Sequence, residues 1–381
     1  MILPKHKVFF LLSLFFLSGF FYSCDSDNGS GPGNKDEGTE ILESLCDSVV
    51  DNTPVPGIIA GFWSGDNEIA WEYATGRADV NTNVPMNIGM YFRIASITKT
   101  IVNSVLFQLV DEGLISMSDT LSKYRPDIPD GDNITILMLS DMTSGIGEYS
   151  SHIDFILQSV SNPLFYWHPD TLVKLGTSRP VNAPPGETWF YSNTNTVILG
   201  RIIEDLTGNS LEHELRTRIF EPYNLVQTTF PVQGNEMPDP HPKAYFTGSP
   251  GMAVDWSEAY DISAAWAAGA VISTLADLRV YASLLVDGEL TSAESHTFRL
   301  NHKVPTNVDE AYYGPGILSW KSFYGHLGGL PGFTSLLLRD SEKDATMIIL
   351  YNCQLDKYQP AELAERFWHE IFVKDILSLN P

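Results

Sequence analysis

The chain has 381 residues, of which 43% are hydrophobic and 12% aromatic, so it is long and apolar enough to bury a substantial core. It carries 47 Asp and Glu against 23 Lys and Arg, for a formal net charge of -24. Because a nucleic-acid partner requires a basic surface, this composition argues against nucleic-acid binding and indicates an acidic globular protein of enzyme size.

The first residues have the pattern of an export signal. Lys5 and Lys7 form a positive segment, and residues 8–21 form an apolar run that is too short to span a bilayer comfortably. We therefore predict a signal peptide over residues 1–23. The mature protein is then exported, to the periplasm or to the cell surface.

Cys24 follows directly, with Ser23 before it and a run rich in Gly, Ser, Asp and Asn at residues 25–34 after it. This pattern resembles a bacterial lipoprotein signal, although Phe21 stands where Leu is usual. It predicts a lipid-anchored Cys24 on a flexible tether, residues 24–38, as the only connection to a membrane. Ordinary secretion and an uncleaved anchor remain alternatives.

Hydrophobic periodicity predicts β-strands at both ends of the mature chain. The predicted elements are a helix at 40–50, strands at 57–63 and 68–74 around the turn Gly65-Asp66-Asn67, strands at 333–339 and 346–351 around the turn Glu342-Lys343-Asp344, and an amphipathic helix at 360–373. Strands at both ends predict one sheet that both termini build together.

The middle of the chain is mostly helical and rich in loops. The predicted helices there are 96–112, 195–207 and 277–286, and each ends at or just before a glycine. The fold class is therefore α+β, one domain at 39–376 in which helices flank an antiparallel sheet. A sheet lobe (39–92 and 265–376) and a mostly helical insertion lobe (93–264) predict a ligand cleft at their junction.

Ser96 and Lys99 open the longest of these helices. A spacing of three residues places the hydroxyl and the amine on one helical face, one turn apart. At a helix N-terminus in a partly desolvated cleft the ammonium form of Lys99 is disfavoured, so a neutral amine can accept the Ser96 proton. The same backbone amides can stabilise an oxyanion. Alone, this short pattern also arises by chance or as a helix N-cap.

Two further elements follow along the chain. Tyr191 and Asn193 precede the second helix, where a Tyr hydroxyl beside a Lys amine can act as acid or base and Asn can hold a substrate carbonyl. His326 comes before Gly328 and Gly329, which allow a strand edge to approach a substrate closely. Each element alone also has a plain structural interpretation, as a packed Tyr or an ordinary His near glycines.

In this order and spacing, the three elements resemble the active-site motifs of the serine β-lactamase and D-alanyl-D-alanine peptidase superfamily. The pattern is most similar to the class C β-lactamases and, closer still, to the soluble exocellular D-alanyl-D-alanine carboxypeptidase. The similarity covers roughly residues 40–370. The segments that carry it are 92–96, 108–113, 143–145, 191–196, 207–208, 268–273 and 324–326.

The resemblance implies a fold of the β-lactamase/transpeptidase type and catalysis through an acyl-enzyme. Ser96 attacks a carbonyl, Lys99 and Tyr191 move protons to the leaving group and later from water, and Asn193 orients the substrate amide. The oxyanion hole is formed by the backbone N–H groups of Ser96 and Gly329. His326 takes the place of a Lys or His that lines the cleft as a proton shuttle or charge partner.

The same resemblance implies no metal and no organic cofactor. The substrate it implies is a small molecule or a peptidoglycan peptide, and we expect a monomer.

Two departures from the pattern concern the recognition of a substrate carboxylate. Leu327 stands where relatives offer a hydroxyl, and Leu318 falls in the segment where the exocellular carboxypeptidase presents an arginine. A carboxylate facing Leu loses charge-assisted hydrogen bonds. Lys321 or Arg339 could replace them, or both could be ordinary surface charges.

Three substrates fit a hydrolase with these residues: a peptidoglycan stem peptide, a β-lactam, or an ester or amide with an uncharged acyl donor. Leu327 favours the last. A protein of another class, a non-catalytic penicillin-recognising receptor with the same fold, is the alternative, and the intact Ser, Lys and Tyr argue against it.

Cys46 and Cys353 are the cysteines that remain after Cys24. Neither has a metal-ligand spacing, so a zinc site built from cysteines is not expected. In an oxidising compartment the two could form a disulfide, or they could be two separate buried thiols.

Overall fold

The structure, a computed structural model, describes residues 35–65, 69–179, 181–247, 253–354 and 360–374. The predicted signal peptide, Cys24 and most of the predicted tether lie outside these residues. The helices are α1 (Lys35–Asn52), α2 (Thr98–Asp111), α3 (Ile136–Ser140), α4 (Ile153–Ser161), α5 (Pro169–Thr177), α6 (Asn193–Thr207), α7 (Leu211–Leu215), α8 (Leu275–Asp287), α9 (Ala293–Asn301) and α10 (Pro360–Trp368). The strands are β1 (Gly57–Ser64), β2 (Ile69–Asp79), β3 (Val84–Pro85), β4 (Phe92–Arg93), β5 (Tyr245–Thr247), β6 (Ala253–Asp255), β7 (Ile272–Ser273), β8 (Val304–Pro305), β9 (Ala311–Gly314), β10 (Ile317–Trp320), β11 (Phe323–Leu330), β12 (Phe333–Asp340), β13 (Ala345–Tyr351) and β14 (Cys353–Gln354).

Both ends of the described chain contribute to one antiparallel sheet, in the order β3-β2-β1-β13-β12-β11-β10-β9-β8. The two ends meet where β1 pairs with β13, with Ile58 opposite Tyr351 and Ser64 opposite Ala345. The predicted α+β architecture is therefore confirmed, and the predicted strands at 57–63, 333–339 and 346–351 each fall within one residue of the observed bounds.

The central strands β1, β12 and β13 are buried along their whole length. A strand covered on both faces has no solvent side, so its sequence is a nearly continuous apolar run rather than an alternating one. Since β2 lies nearer the edge, it alternates at its start: Ile69 and Trp71 are buried whereas Ala70 and Glu72 are exposed. Burial pattern and sheet position therefore agree.

The sheet separates two hydrophobic clusters because successive side chains of a strand point to opposite faces. In β12, Leu337 belongs to the inner cluster, which packs against α2, α6 and α8, whereas Leu336 and Leu338 belong to the outer cluster, which packs against α1 and α10. Each cluster holds one layer of helices against the sheet. The sheet separates the two clusters, and the candidate site lies at the edge of one of its strands, β11.

Two small sheets add to this arrangement. β4 pairs with β7, and β5 pairs with both β6 and β14. The mostly helical lobe therefore also contains strands: its residues 245–247 and 253–255 form a sheet with β14, which comes from the C-terminal end of the sheet lobe. Long-range pairing of three-residue strands leaves no periodic pattern in the sequence that could predict it.

The helix bounds differ from the predictions mainly at the first turns. α1 begins at Lys35, inside the segment predicted as tether, and α6 begins at Asn193 rather than at residue 195. The C-terminal ends agree, since α6 and α8 end at Gly208 and Gly288 in left-handed conformation. Among the described residues, no helix is both long and apolar enough to cross a membrane.

The two cysteines predicted to be either paired or separate are both free and buried in the structure. Cys46 lies in α1 and Cys353 in β14, within the outer cluster. Burial raises the pKa of both thiols. The disulfide is thus not formed, and the interpretation as two buried thiols is confirmed.

Candidate active site

Ser96 lies in a single 3₁₀ turn, Ala95–Ile97, directly before α2. Ala95 adopts a φ of 52°, a left-handed conformation that is uncommon for a residue with a side chain. Ile94, the residue before the turn, is held by hydrogen bonds at both of its backbone groups. Its carbonyl accepts from Ser335 Oγ at 2.7 Å, and its N–H donates to the Val271 carbonyl at 3.0 Å. The bend presents Ser96 at a partly exposed position.

Gly328 allows β11 to lie against this turn. A Cβ atom at Gly328 would lie 2.2 Å from Ser335 Oγ and 2.4 Å from the carbonyl oxygen of Ile94. Gly329, in contrast, is exposed, and nothing lies within 4 Å of where its Cβ would be. The two glycines therefore differ: Gly328 is needed for close packing, whereas a Cβ at Gly329 would meet no described atom within 4 Å.

Lys99 occupies the first turn of α2 and is fully buried. Its Nζ lies 2.9 Å from Ser96 Oγ and 2.7 Å from the carbonyl oxygen of Ala268. Desolvation lowers the pKa of Lys99 to about 7, although the negative charge of Glu148 acts in the opposite direction. The geometry that the spacing of three predicted is thus present, with a buried amine whose neutral form is more favoured than that of an exposed Lys.

Tyr191 reaches the same place from the loop before α6. The Lys99 Nζ lies 5.0 Å from the centre of the Tyr191 ring, and the Tyr191 hydroxyl hydrogen-bonds with Ser96. Burial raises the pKa of Tyr191, the bond with Ser96 lowers it, and the charge of Glu148 raises it. The net shift is upward, so the phenol keeps its proton at neutral pH. The structure thus brings Ser96, Lys99 and Tyr191 together.

Asn193 is the first residue of α6 and is partly exposed. Its backbone N–H donates to the carboxylate of Glu148. Around it, the hydroxyls of Ser192 and Thr194 both donate to the carbonyl of Gly147, at 3.0 and 2.7 Å. The segment with Tyr191 and Asn193 is therefore joined to residues 147–148 of the helical lobe.

His326 faces the same cleft from β11, but it is buried. Its Nε2 lies 2.9 Å from the Tyr313 hydroxyl, and its Nδ1 contacts the carbonyl of Leu327. Because a carbonyl can only accept, Nδ1 carries the proton and Nε2 accepts the proton of Tyr313. Burial, and then the charge of Lys99, lower the pKa of His326 to about 3. A neutral His326 does not support the charge-partner role that the resemblance implied.

His326 belongs to a cluster of rings, the aromatic wall, which is made of Trp189, Tyr191, Tyr313 and His326. Neighbouring rings lie with centres 5.6 to 6.3 Å apart. The indole N–H of Trp189 is buried and has no hydrogen-bond partner in the described part of the protein. The wall is therefore mostly apolar, and it limits the cleft next to Tyr191.

The basic residues suggested for carboxylate recognition lie elsewhere. Lys321 stacks over Trp368 with its Nζ 3.8 Å from the ring centre, and it pairs with Glu310. Arg339 pairs with Asp287 and with Asp344, at 2.6 and 2.8 Å. Both side chains have structural partners, so the interpretation as ordinary charges is the one that the geometry supports.

Leu327 follows His326 in β11, so its side chain lies on the other face of the sheet. There it packs against the outer cluster, opposite Leu336. Leu318, paired with Gly325, lies on that same outer side by strand alternation. A substrate group that meets Leu327 therefore approaches from the side of α10, and it finds an apolar surface there.

Three groups of this site were not identified as functional from the sequence. They are the carbonyl of Ala268, the carboxylate of Glu148 and the hydroxyl of Tyr313. A backbone carbonyl has no signature in a sequence, and neither Glu148 nor Tyr313 belongs to one of the three active-site motifs. The available signal was Thr143-Ser144-Gly145, a segment of the resemblance that ends three residues before Glu148.

Comparison with known proteins agrees with this geometry. A family model described as Beta-lactamase matches residues 43–367. The chain belongs to the Beta-lactamase family. The predicted membership is confirmed, and the chain is a serine hydrolase of the β-lactamase and penicillin-binding superfamily.

Members of this family among curated proteins include a putative penicillin-binding protein PbpX of Bacillus subtilis, 27% identical over 287 residues, which are 75% of this chain and 68% of that protein. A putative D-alanyl-D-alanine carboxypeptidase of Salmonella agona is 26% identical over 334 residues, covering 75% of this chain and 76% of that protein. Among solved structures, a D-stereospecific amidohydrolase from Streptomyces sp. is 27% identical, with a TM-score of 0.77 over 87% of this chain and 98% of that one.

Proposed function

We propose that this Beta-lactamase family member hydrolyses an amide bond through an acyl-Ser96 intermediate. The observation that carries the proposal is the buried Lys99 amine, 2.9 Å from Ser96 Oγ. One N–H of the neutral amine binds the Ala268 carbonyl, and its lone pair is then free to accept the Ser96 proton. A desolvated amine next to a hydroxyl is a general base for nucleophilic attack.

Tyr191 is the proton donor in this mechanism. When Ser96 attacks the substrate carbonyl, its proton passes to Lys99, and Tyr191 gives its own proton to the departing nitrogen. The Lys99 ammonium, whose Nζ lies over the Tyr191 ring, then reprotonates the phenolate. In the second half-reaction, water loses a proton to Lys99 as its oxygen bonds to the acyl carbon. The Lys99–Tyr191 pair then returns a proton to Ser96 Oγ as the bond between Oγ and the acyl carbon breaks. Lys99 is the base in both half-reactions because the pKa of Tyr191 is raised and that of Lys99 is lowered.

The oxyanion hole combines the N–H of Ser96 with that of Gly329. The pairing of β11 with β10 ends where Leu318 lies opposite Gly325. After Gly325, no described strand pairs with this edge of β11, so its backbone groups are available to a substrate. Backbone donors fixed in a rigid strand stabilise the developing oxyanion without reorganisation.

An uncharged leaving group fits this cleft best. His326 is neutral, Lys321 and Arg339 are paired elsewhere, and Leu327 lies on the outer face of the sheet rather than in the cleft. The solved amidohydrolase, whose title names D-stereospecific activity, supports an amide of a D-amino acid as the acyl donor. A D-alanyl-D-alanine carboxypeptidase is the second candidate, and the name of the Salmonella relative supports it.

The test compares four substrates with purified protein lacking residues 1–34: D-phenylalanine amide, its L-enantiomer, a D-Ala-D-Ala peptide and nitrocefin. We expect turnover of the D-amide to exceed that of the other three by at least about 10-fold. Fast hydrolysis of the peptide alone would favour the second candidate. Ser96→Ala is the control, and activity that survives in it would contradict the acyl-enzyme.

We also propose that the protein is exported and anchored through a lipid on Cys24. The signal-like segment and the small residue before Cys24 support this. Incorporation of radiolabelled palmitate in a producing cell, lost in Cys24→Ala, is the expected result. If Cys24→Ala incorporates as much palmitate as the wild type, the lipid anchor on Cys24 is contradicted.

A further inference from the structure

Glu148 is a buried carboxylate beside the catalytic residues, and the mechanism above gives it no task. Only 9% of it is exposed. One carboxylate oxygen accepts the N–H of Ser150 at 3.0 Å, and the other accepts the N–H of Asn193 at 2.5 Å. The N–H groups in the first turn of a helix have no partner within the helix, so Glu148 satisfies one of them at the start of α6.

The segment that Glu148 holds carries both Tyr191 and Asn193. Other bonds hold it too, since Ser192 and Thr194 donate to the Gly147 carbonyl, and the hydroxyl of Thr194 accepts the N–H of Tyr149. These three bonds involve no charge and do not depend on Glu148. We therefore expect a Glu148 variant to fold, with the segment less firmly fixed at its Asn193 end.

The charge of Glu148 also acts on the catalytic amine. The groups that face Lys99 are the Ser96 hydroxyl, the Ala268 carbonyl, the Tyr191 ring, the neutral His326 and Glu148. Among the described residues, Glu148 is the carboxylate whose charge affects the pKa of Lys99, which it raises against desolvation. This charge therefore favours the ammonium that forms when Ser96 gives up its proton.

We propose that Glu148 is a positioning residue of this hydrolase: its carboxylate fixes the Tyr191–Asn193 segment and favours the ammonium that Lys99 becomes when it takes the Ser96 proton. The proposal rests on the proposed acyl-enzyme mechanism. Glu148 acts through Lys99 and Asn193 and does not itself touch the substrate. A purely structural role and a direct role in binding a substrate ammonium are the two competing explanations.

The test measures the rate at which a fluorophosphonate modifies Ser96, as a function of pH, in the wild type and in Glu148→Gln. Loss of the negative charge makes the ammonium less favourable, so Lys99 loses its proton at lower pH. We expect the acidic limb of the rate profile to move by about 0.5 pH unit or more toward lower pH. The plateau rate should fall about 10-fold, because the Tyr191–Asn193 segment is held less firmly.

Asp261→Asn is the matched control. The Asp261 carboxylate is 7% exposed and also accepts two backbone N–H groups, from Ser263 at 2.9 Å and Gly234 at 2.8 Å. Its charge is not among those that affect the pKa of Lys99. We expect a similar loss of thermal stability with an unchanged acidic limb. A limb that moves equally in both variants, or in neither, would overturn the proposal.

Two further measurements separate the remaining explanations. If Glu148→Gln raises KM for D-phenylalanine amide more than 10-fold but leaves that for its N-acetyl derivative unchanged, Glu148 binds the substrate ammonium and the positioning role is wrong. If the fluorophosphonate does not modify Ser96 in the wild type, the proposed acyl-enzyme function is wrong. This outcome differs from one in which Ser96 is modified but Glu148→Gln leaves the acidic limb unchanged, which contradicts only the role of Glu148.

Should Glu148→Gln not fold, Glu148→Asp replaces it. The shorter side chain retains the charge but withdraws the carboxylate from the Asn193 N–H. A lower plateau rate with the wild-type acidic limb is then expected. A plateau rate equal to that of the wild type would overturn the proposal.

Discussion

The two walls of the cleft differ in what they offer a substrate. The wall at the start of α2 holds the titratable group of the reaction, Lys99, with both of its hydrogen-bond partners in place. The opposite wall, the edge of β11, offers backbone groups, two glycines and a neutral His326. The base of the reaction therefore lies on one wall, and the other wall offers backbone groups to the substrate.

The largest effect is expected on the α2 wall. Lys99→Met removes the base while filling most of the buried volume, so we expect the rate of Ser96 acylation to fall at least about 10³-fold. Fluorophosphonate labelling followed over time measures it. Lys123→Met, which removes a mostly exposed Lys paired with Asp119, is the control and should label at the wild-type rate. Labelling of Lys99→Met at more than a tenth of that rate would mean that another group is the base.

The next effect concerns the contact between the walls. Gly328→Ala places a methyl group within 2.4 Å of the Ile94 carbonyl, so the turn that presents Ser96 must shift. We expect a loss of about 2 kcal/mol in unfolding free energy and about 10²-fold in acylation rate. Gly329→Ala is the matched control for stability alone, because its Cβ meets nothing within 4 Å. Equal melting temperatures for the two variants would show that the walls are not in tight contact.

The difference between the walls also explains how much the sequence could predict. A spacing of three residues on a helix determines the geometry of Ser96 and Lys99, so the α2 wall followed from local rules. The central strands were also predictable from a local pattern, because each is an apolar run bounded by turns. The face on which Leu327 lies was predictable from strand alternation, once His326 was assigned to the cleft.

The rest of the site depends on contacts between distant parts of the chain. Ala268 lies 169 residues from Lys99, and Glu148 lies 45 residues from Asn193. The single sequence contains no signal for such pairs, and the neutral state of His326 depends on burial that only the folded protein provides. The small sheet that joins β5 to β14 was missed for the same reason.

The pH dependence sharpens the assignment of the base. Burial lowers the pKa of Lys99 to about 7, so the neutral amine is lost as the pH falls below 7. We expect kcat/KM to fall about tenfold for each pH unit below that value, with no decline between pH 8 and 9, because the pKa of Tyr191 is raised. A profile measured from pH 5 to 9 tests this. Constant activity down to pH 5 would mean that Lys99 does not act as a neutral base.

The smallest effect is expected on the β11 wall. With a pKa of about 3, His326 does not titrate in this range, and its Nε2 only accepts from Tyr313. His326→Gln retains an acceptor near that position, so kcat/KM should change by less than about 10-fold, with the acidic limb where it is in the wild type. Tyr313→Phe, which removes the donor of the same bond, should give a change of similar size. If the acidic limb of the rate profile disappears in His326→Gln but persists in Tyr313→Phe, the group that titrates near pH 7 is His326. The β11 wall would then take part in the proton transfer.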